Sequence, residues 1–547
     1  MLNLSALTYS CGASQTILAF AQCQSQLVSR IPQGRPPQIR ATGTAFAAPE
    51  LVRSLTPHQV RVFLRVACAA VLVAVLTQTR ADPDLFGHVR FGHDIVAARS
   101  AHLVDRYSFT SDRPWINHEW LSEVAMYGAY NAAGAAGLIA LKLSLLALML
   151  GAVALAIRRG GLPDLAWDCL LALAVTCTFP QTVSVRPQLF SLALFSPLLL
   201  VLLSARRDHR VLLWSIPIMA MWVNVHGGWV VGAGTLMVWT AVGLLSDRPL
   251  RDKLIALGVA GAALAVTLVN PYGLQSWTFV RETVALGREN IADWQPVFHA
   301  GVLFALWGLV AAVATVALVV AAARRTLDLQ GSAVVLMFGI GSFRVSRLLS
   351  FFVLSAVMVL APEIASMLRR PASVRSQRFA APWVPAAVLL LALALIGTGA
   401  TVSARNLSCI RFEDSLFPEA QAAGILTGRG ARGRMLTYFD YGEYAIWHLS
   451  PDIVVSLDGR RETVYSNEAV ERQFRFYTVP GERKEIVSAL QPDYIWMPSN
   501  LDVTKDLASD GWKPIFAGPQ SVILARGDAA IIPYQSAAAA PRCFPGP

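Results

Sequence analysis

Charge is what this sequence has least of: 15% of its 547 residues are Asp, Glu, Lys or Arg and 55% are hydrophobic, against about 25% charged in soluble domains. An ordinary water-soluble enzyme is excluded. Cysteine is sparse as well; none of the seven sits in a CxxC pair or joins histidine at metal-ligand spacing. Residues 1–50 lack the basic start and continuous apolar stretch of a secretory signal. They are rich in Gln, Ser, Ala and Pro, and residues 1–60 are expected to form a disordered cytoplasmic tail, or to include a misassigned start. No internal repeat stands out, which argues against an inverted-repeat transporter.

The net charge of +11 is unevenly placed. Residues 404–547 carry 15 basic and 17 acidic side chains, so the positive excess belongs to the apolar part. There it falls in alternate short loops, as the positive-inside rule requires. No basic patch with interleaved aromatics marks a nucleic-acid surface, and the bilayer is the expected partner.

Apolar stretches of near-spanning length recur between the basic clusters as far as Ser403. A helix of about 20 residues covers the hydrocarbon core, and lipid leaves the backbone no other way to satisfy its polar groups. The fold class expected is mostly α: a polytopic bundle of about eleven spans over residues 61–403, followed by a small α/β domain over 404–547. The first span runs from Arg61 to Thr79, and the second from Gly134 to Ile157. Loop 80–123 between them is acidic, rich in histidine and expected outside, with the amino terminus inside a plasma (inner) membrane. In the last domain, Arg434–Phe439, Asp452–Leu457, Asp493–Met497 and Ser521–Ala525 read as strands, and Glu468–Tyr477 and Glu482–Leu490 as helices.

Loop 80–123 holds the densest chemistry. Asp82-Pro83-Asp84 is followed by His88, Arg90, His93 and Asp94, and then by Asn117-His118-Glu119-Trp120. Pro83 disfavours helix at Asp82, and in an extended segment side chains two apart face the same way. Asp82 and Asp84 could then hold a divalent cation (Mg or Mn), or divide into a base and a hydroxyl acceptor. Alternatively, Asp84 caps a helix beginning at Leu85, and Asn117 caps the one carrying His118. His88 by itself reads as readily as a packing residue.

A second polar set marks the outer ends of other spans: Arg186, Asn224, His226, Asn270, Asp293, Arg344 and Arg347. Ionisable groups at that depth face a cavity or a partner. Arg344 and Arg347, one helical turn apart, could grip a phosphate or snorkel to headgroups. Lys142, the one charge deep in a span, is too little for a proton relay. In the last domain Asp440, Asp458, Arg460 and Arg461 fall at strand ends, fitting a ligand site or turn and salt-bridge roles.

The segments Asp82 to Arg90, Asp112 to Leu121, Asn224-Val225-His226-Gly227-Gly228 and Asn270-Pro271-Tyr272-Gly273, with Tyr441-Gly442-Glu443-Tyr444 and Leu457-Asp458-Gly459-Arg460, resemble a group of bacterial multi-spanning proteins. That group is similar to the GT-C superfamily of glycosyltransferases. The resemblance implies transfer of a sugar from a polyprenyl-phosphate-linked donor to an acceptor at the outer face. Asp84 would be the base, Asp82 would assist it or bind metal, and Arg344 or Arg347 would stabilise the leaving phosphate. His88, Arg90, His118, Glu119, Arg186 and His226 would complete the substrate-binding set. The double-Trp-Asp motif of oligosaccharyltransferases is missing, which argues against asparagine-linked transfer. The alternative is a non-catalytic or transport protein handling lipid-linked glycans.

Cys409 and Cys543, the two cysteines of the last domain, stand near its two ends in a compartment expected to be oxidising. They either close a disulfide or remain free thiols in a loose tail. Cys68, Cys169 and Cys177 fall in apolar spans and read as packing residues.

Overall fold

The computed structural model describes residues 57–101, 104–285, 292–368, 384–412, 416–527, 531–535 and 542–546. Most of the expected amino-terminal tail, residues 1–56, lies outside the described residues. The bundle is built from helices α1 (Pro57–Thr77), α2 (Leu85–Ala98), α3 (Trp120–Arg159), α4 (Asp164–Thr182), α5 (Pro187–Ser204), α6 (Ser215–Val225), α7 (Trp229–Leu244), α8 (Leu250–Ala265), α9 (Gln275–Ala285), α10 (Gly301–Ala323), α11 (Leu329–Arg344), α12 (Leu349–Leu368) and α13 (Val384–Leu407). Each span expected from hydropathy coincides with one of these; α2 and α9 are the additional helices. Six of them, α1, α3, α5, α10, α12 and α13, are long and apolar enough to cross a membrane, and the chain is a multi-pass membrane protein.

Helix α3 is two helices in one. At Ala133 and Gly134 the backbone leaves helical geometry, Gly134 adopting φ +58°, a conformation that costs glycine little. The first part carries the polar end of the preceding loop, and the rest is the second span. Lys142 is buried in that span, where its ammonium donates to Thr79 Oγ1 and to the Val183 carbonyl, both at 3.2 Å, and to the Gln78 carbonyl. It ties the middle of α3 to the ends of α1 and α4 through the Gln78 and Val183 carbonyls, which those two helix ends leave over.

The last domain contains α14 (Ala420–Gly428), α15 (Gly442–Leu449), α16 (Asn467–Thr478), α17 (Arg483–Leu490) and α18 (Val503–Leu507). They pack on a six-stranded mixed sheet of order β2-β1-β3-β5-β4-β6. The strands are β1 (Gly433–Thr437), β2 (Ile453–Val455), β3 (Tyr494–Pro498), β4 (Trp512–Ala517), β5 (Ser521–Arg526) and β6 (Ile532–Pro533). Sequence pattern missed β4, because Pro514 argues against a strand; the sheet accommodates it with a shift of register between Pro514 and Phe516.

The first long loop does not stand apart from this domain. Ser108 bridges β2 at Val455; Val455 N–H donates to the Tyr107 carbonyl (2.8 Å) and Phe109 N–H to the Val455 carbonyl (3.1 Å). Leu85, Phe86, Val89 and Phe91 of α2 share one hydrophobic core with Tyr441, Tyr444 and Ile446 of the domain. The Phe86 ring meets Phe544 at 4.8 Å and Tyr444 at 5.0 Å. Phe544 is brought there by the Cys409–Cys543 disulfide, whose Cα atoms lie 5.3 Å apart, so of the two alternatives for these cysteines the structure holds the bridge.

Candidate active site

Pro187 opens α5, and the residue before a proline is pushed out of the helical region. Arg186 is accordingly extended (φ −141°, ψ 157°) and leaves the helix axis toward the first loop. One of its amino groups meets Asp82 Oδ2 at 3.2 Å and the other Asp84 Oδ2 at 2.9 Å. The two aspartates converge for a reason other than strand alternation. Asp84 has helical backbone angles, and its N–H donates to Asp82 Oδ1 (3.1 Å) in a turn closed by the side chain. Asp84 precedes α2 but makes no capping bond with its side chain, which is committed to Arg186.

The carboxylates of the loop are joined by carboxylates of the last domain. Glu443, in the first turn of α15, is buried and accepts the Gly87 N–H at 3.1 Å. Gly459 lies between the two sets: a Cβ there would come 2.2 Å from Asp84 Oδ1 and 2.7 Å from Glu443 Oε1, so only glycine permits the approach. Burial, with Asp84 and Asp82 adding negative charge, pushes Asp440 up to about 7 against the pull of Arg186. Burial likewise pushes Asp82 up to about 6, with Arg186 opposing and Asp84 adding to the rise. Glu443 is raised well above the carboxylate range, by burial first and then by Asp84 and Asp458. Sequence reasoning placed Asp440 at a strand end but did not join it, or Glu443, to the first loop.

Beside this group lies a histidine–glutamate cluster. His88 Nδ1 stands 3.5 Å from Glu123 Oε1 and 3.9 Å from Glu119 Oε2. His118 Nε2 and His226 Nε2 each stand 3.4 Å from Glu119 Oε1. Asn117 is not the cap of α3; it accepts the Glu119 N–H (3.0 Å) and donates to Glu123 Oε2 (2.6 Å). His226 Nδ1 accepts the Gly228 N–H at 3.0 Å and takes the Ser191 hydroxyl at 2.6 Å. Its proton is therefore on Nε2, facing Glu119. Burial holds His226 down to about 3, with Glu119 opposing the fall, which agrees with a neutral ring.

The remaining site residues divide. Arg347 lies over the Trp294 ring (5.9 Å), and its charge acts on His226. Arg344 ends α11 with its side chain exposed, and the intervening Val345 is extended (φ −135°, ψ 104°). The two arginines are thus not one turn apart on a continuous helix. Arg90 pairs with Asp94 (3.2 Å), which also takes His93 (2.7 Å) and Arg106 (2.7 Å), away from Asp82 and Asp84. Asn224 accepts the Trp120 indole N–H (3.1 Å), and Asn270 Oδ1 accepts the Tyr272 N–H (2.8 Å) within its own turn. Asp458 and Arg460 form a buried plug: the guanidinium grips both Asp458 oxygens (2.8 and 2.7 Å), reaches Asp105 (2.8 Å) and lies over Phe91, Tyr107 and Trp115 at 5.0, 5.2 and 4.8 Å.

The helical bundle followed by a small α/β domain has a GT-C-like fold. Arabinofuranosyltransferase AftD from Mycobacteria is similar to it with a TM-score of 0.50 at 15% identity, over 87% of this chain and 42% of that one. ArnT from Cupriavidus metallidurans aligns over 86% of this chain and 98% of its own at 13% identity, with TM-scores of 0.49 in the apo state and 0.48 bound to undecaprenyl phosphate. No family model and no curated protein matches the sequence. At such identities the likeness speaks for fold and not for chemistry.

Proposed function

We propose that this protein is a membrane glycosyltransferase that moves a sugar from a polyprenyl-phosphate-linked donor to an acceptor at the outer face of the plasma membrane. The observation that carries the reading is the pairing of Asp82 and Asp84 with Arg186 at the domain-side rim of the bundle, where Gly459 and Glu443 of the last domain close on them. A lipid-linked donor keeps its chain in the bilayer, so its sugar and phosphate would reach this rim. Asp84 accepts the proton of the acceptor hydroxyl while that oxygen bonds to the anomeric carbon. The bond from that carbon to the phosphate oxygen breaks, and the lipid phosphate leaves with the electron pair. Arg347, beside His226, supplies positive charge for the leaving group. Arg186 pairs with Asp82 Oδ2 and Asp84 Oδ2, oxygens that a Mg or Mn ion shared by the two carboxylates would compete for.

In a strain lacking the gene, mass spectrometry of lipid-linked sugars identifies the unused donor. Wild-type protein should clear it, and an Asp84→Asn protein inserted at the same level should not. Full modification by Asp84→Asn would end the catalytic reading and leave a carrier of lipid-linked glycan. The same reading has the amino terminus inside and the last domain outside, from the charge asymmetry of the loops; a stable but inactive alkaline phosphatase fused to the carboxyl terminus would refute that orientation.

A further inference from the structure

We propose that His88, Glu119 and Glu123 form a site for a divalent transition-metal ion of the zinc type, with a water in the fourth position. One ligand atom from each lies within 4.8 Å of the others. The separations decide between a metal set and a hydrogen-bonded one. A made N–H···O bond spans about 2.7–3.2 Å, whereas ligands about 2.1 Å from a tetrahedral ion stand about 3.4 Å from one another. His88 Nδ1 is 3.5 Å from Glu123 Oε1, at the outer limit of a hydrogen bond, and 3.9 Å from Glu119 Oε2, beyond it; both are close to ligand spacing.

The surroundings orient these groups as the outer shell of a metal site does. Asn117 donates to the Glu123 oxygen turned away from His88, leaving Oε1 for the ion. His226, with its proton fixed on Nε2 by the Gly228 N–H, faces the Glu119 oxygen turned away from His88. His226 thereby turns its proton toward Glu119 across 3.4 Å and is not a ligand itself. His88 and Glu123 are buried, and one imidazole with two carboxylates suits zinc better than the all-oxygen shells of calcium and magnesium. Bound there, the ion joins the first turn of α2 to the first turn of α3. Because the His88 N–H donates to the Asp84 carbonyl (3.0 Å), it also fixes the turn that presents Asp84. The site needs only these ligands and does not depend on the glycosyltransferase reading.

The test is metal content and not activity. Full-length protein purified in detergent, stripped with a chelator and re-equilibrated with zinc chloride, should hold one equivalent per chain after desalting. Cobalt(II) in its place should give the intense visible bands of a four-coordinate ion, and either metal should raise the melting temperature of the stripped protein. His88→Ala and Glu123→Gln should each abolish retention, whereas His118→Ala should keep it. Wild-type protein that retains no zinc, or retention unchanged in the His88→Ala/Glu123→Gln double variant, overturns the site. Should those variants fail to fold, a wild-type cobalt complex with only the weak bands of a six-coordinate ion overturns it equally.

Discussion

Gly459 of the last domain and Asp84 of the first loop are held so close that a methyl group on the glycine would come 2.2 Å from Asp84 Oδ1. Gly459→Ala therefore acts on Asp84 without touching its chemistry. The side chain must swing away from Arg186, and displacements near 1 Å at a reacting group cost about 100-fold in rate. Sugar transfer should fall by that order while the protein still inserts, as an assay on membranes of matched expression would record. Unchanged transfer would mean that Asp84 does not act from this position.

Asp440 ionises later in the folded protein, at about 7, than its ordinary value of 3.8. Its folded value is raised, so between pH 4 and 7 the folded state binds the proton that the unfolded state has lost, and stability through this group declines as pH rises. Transfer should run the other way, climbing over the same interval as the carboxylates about Arg186 charge. In Asp440→Asn the decline in melting temperature between pH 4 and 7 should be shallower. A pH–stability curve identical to wild type would show that the carboxyl is not buried.

Arg460 satisfies two aspartates and covers three rings at once. A lysine is a point charge and cannot fork to both Asp458 oxygens while reaching Asp105. Removing one partner of a buried pair costs about 3–5 kcal/mol. Arg460→Met should bring that loss and open residues 104–115 to protease, and Arg460→Lys should lie between it and wild type. Proteolysis unaltered in both would mean that the plug does not hold the loop to the domain.

The Cys409–Cys543 bridge closes a sequence separation of 134 residues, for which chain entropy gives up to about 4–5 kcal/mol. Reduction, or Cys543→Ser, should lower the melting temperature and loosen Phe544 from Phe86. Without reductant, thiol reagents should spare Cys409 and Cys543; labelling of Cys409 would contradict the bridge.

The helical bundle was legible because lipid imposes one rule on every span, and apolar length expresses it. Asp82, Asp84 and Arg186 were also legible, since charge at such positions needs a local reason. Their meeting through a side-chain turn and a pre-proline arginine follows from the residues, although the turn took the place of the expected extended strand. Asp440 and Glu443 were not recoverable: 356 positions separate Glu443 from the Gly87 amide it accepts, and no local pattern encodes how a sheet docks on a loop. Arg344 and Arg347 misled because spacing of three implies one helical face only while the helix continues, and it stops at Val345.

The pairing of Ser108 with Val455 closes the β2 edge of the sheet with the chain's own loop. At the opposite edge β6 is two residues long and includes Pro533, which has no N–H to offer. Among the described residues, one border is thus covered by the loop and the other ends on a strand of two residues, which limits the row of amides offered to a neighbour. In a crowded bilayer, where many copies carry their sheets at one height, this arrangement discourages edge-to-edge fusion between copies and keeps each sheet a private surface.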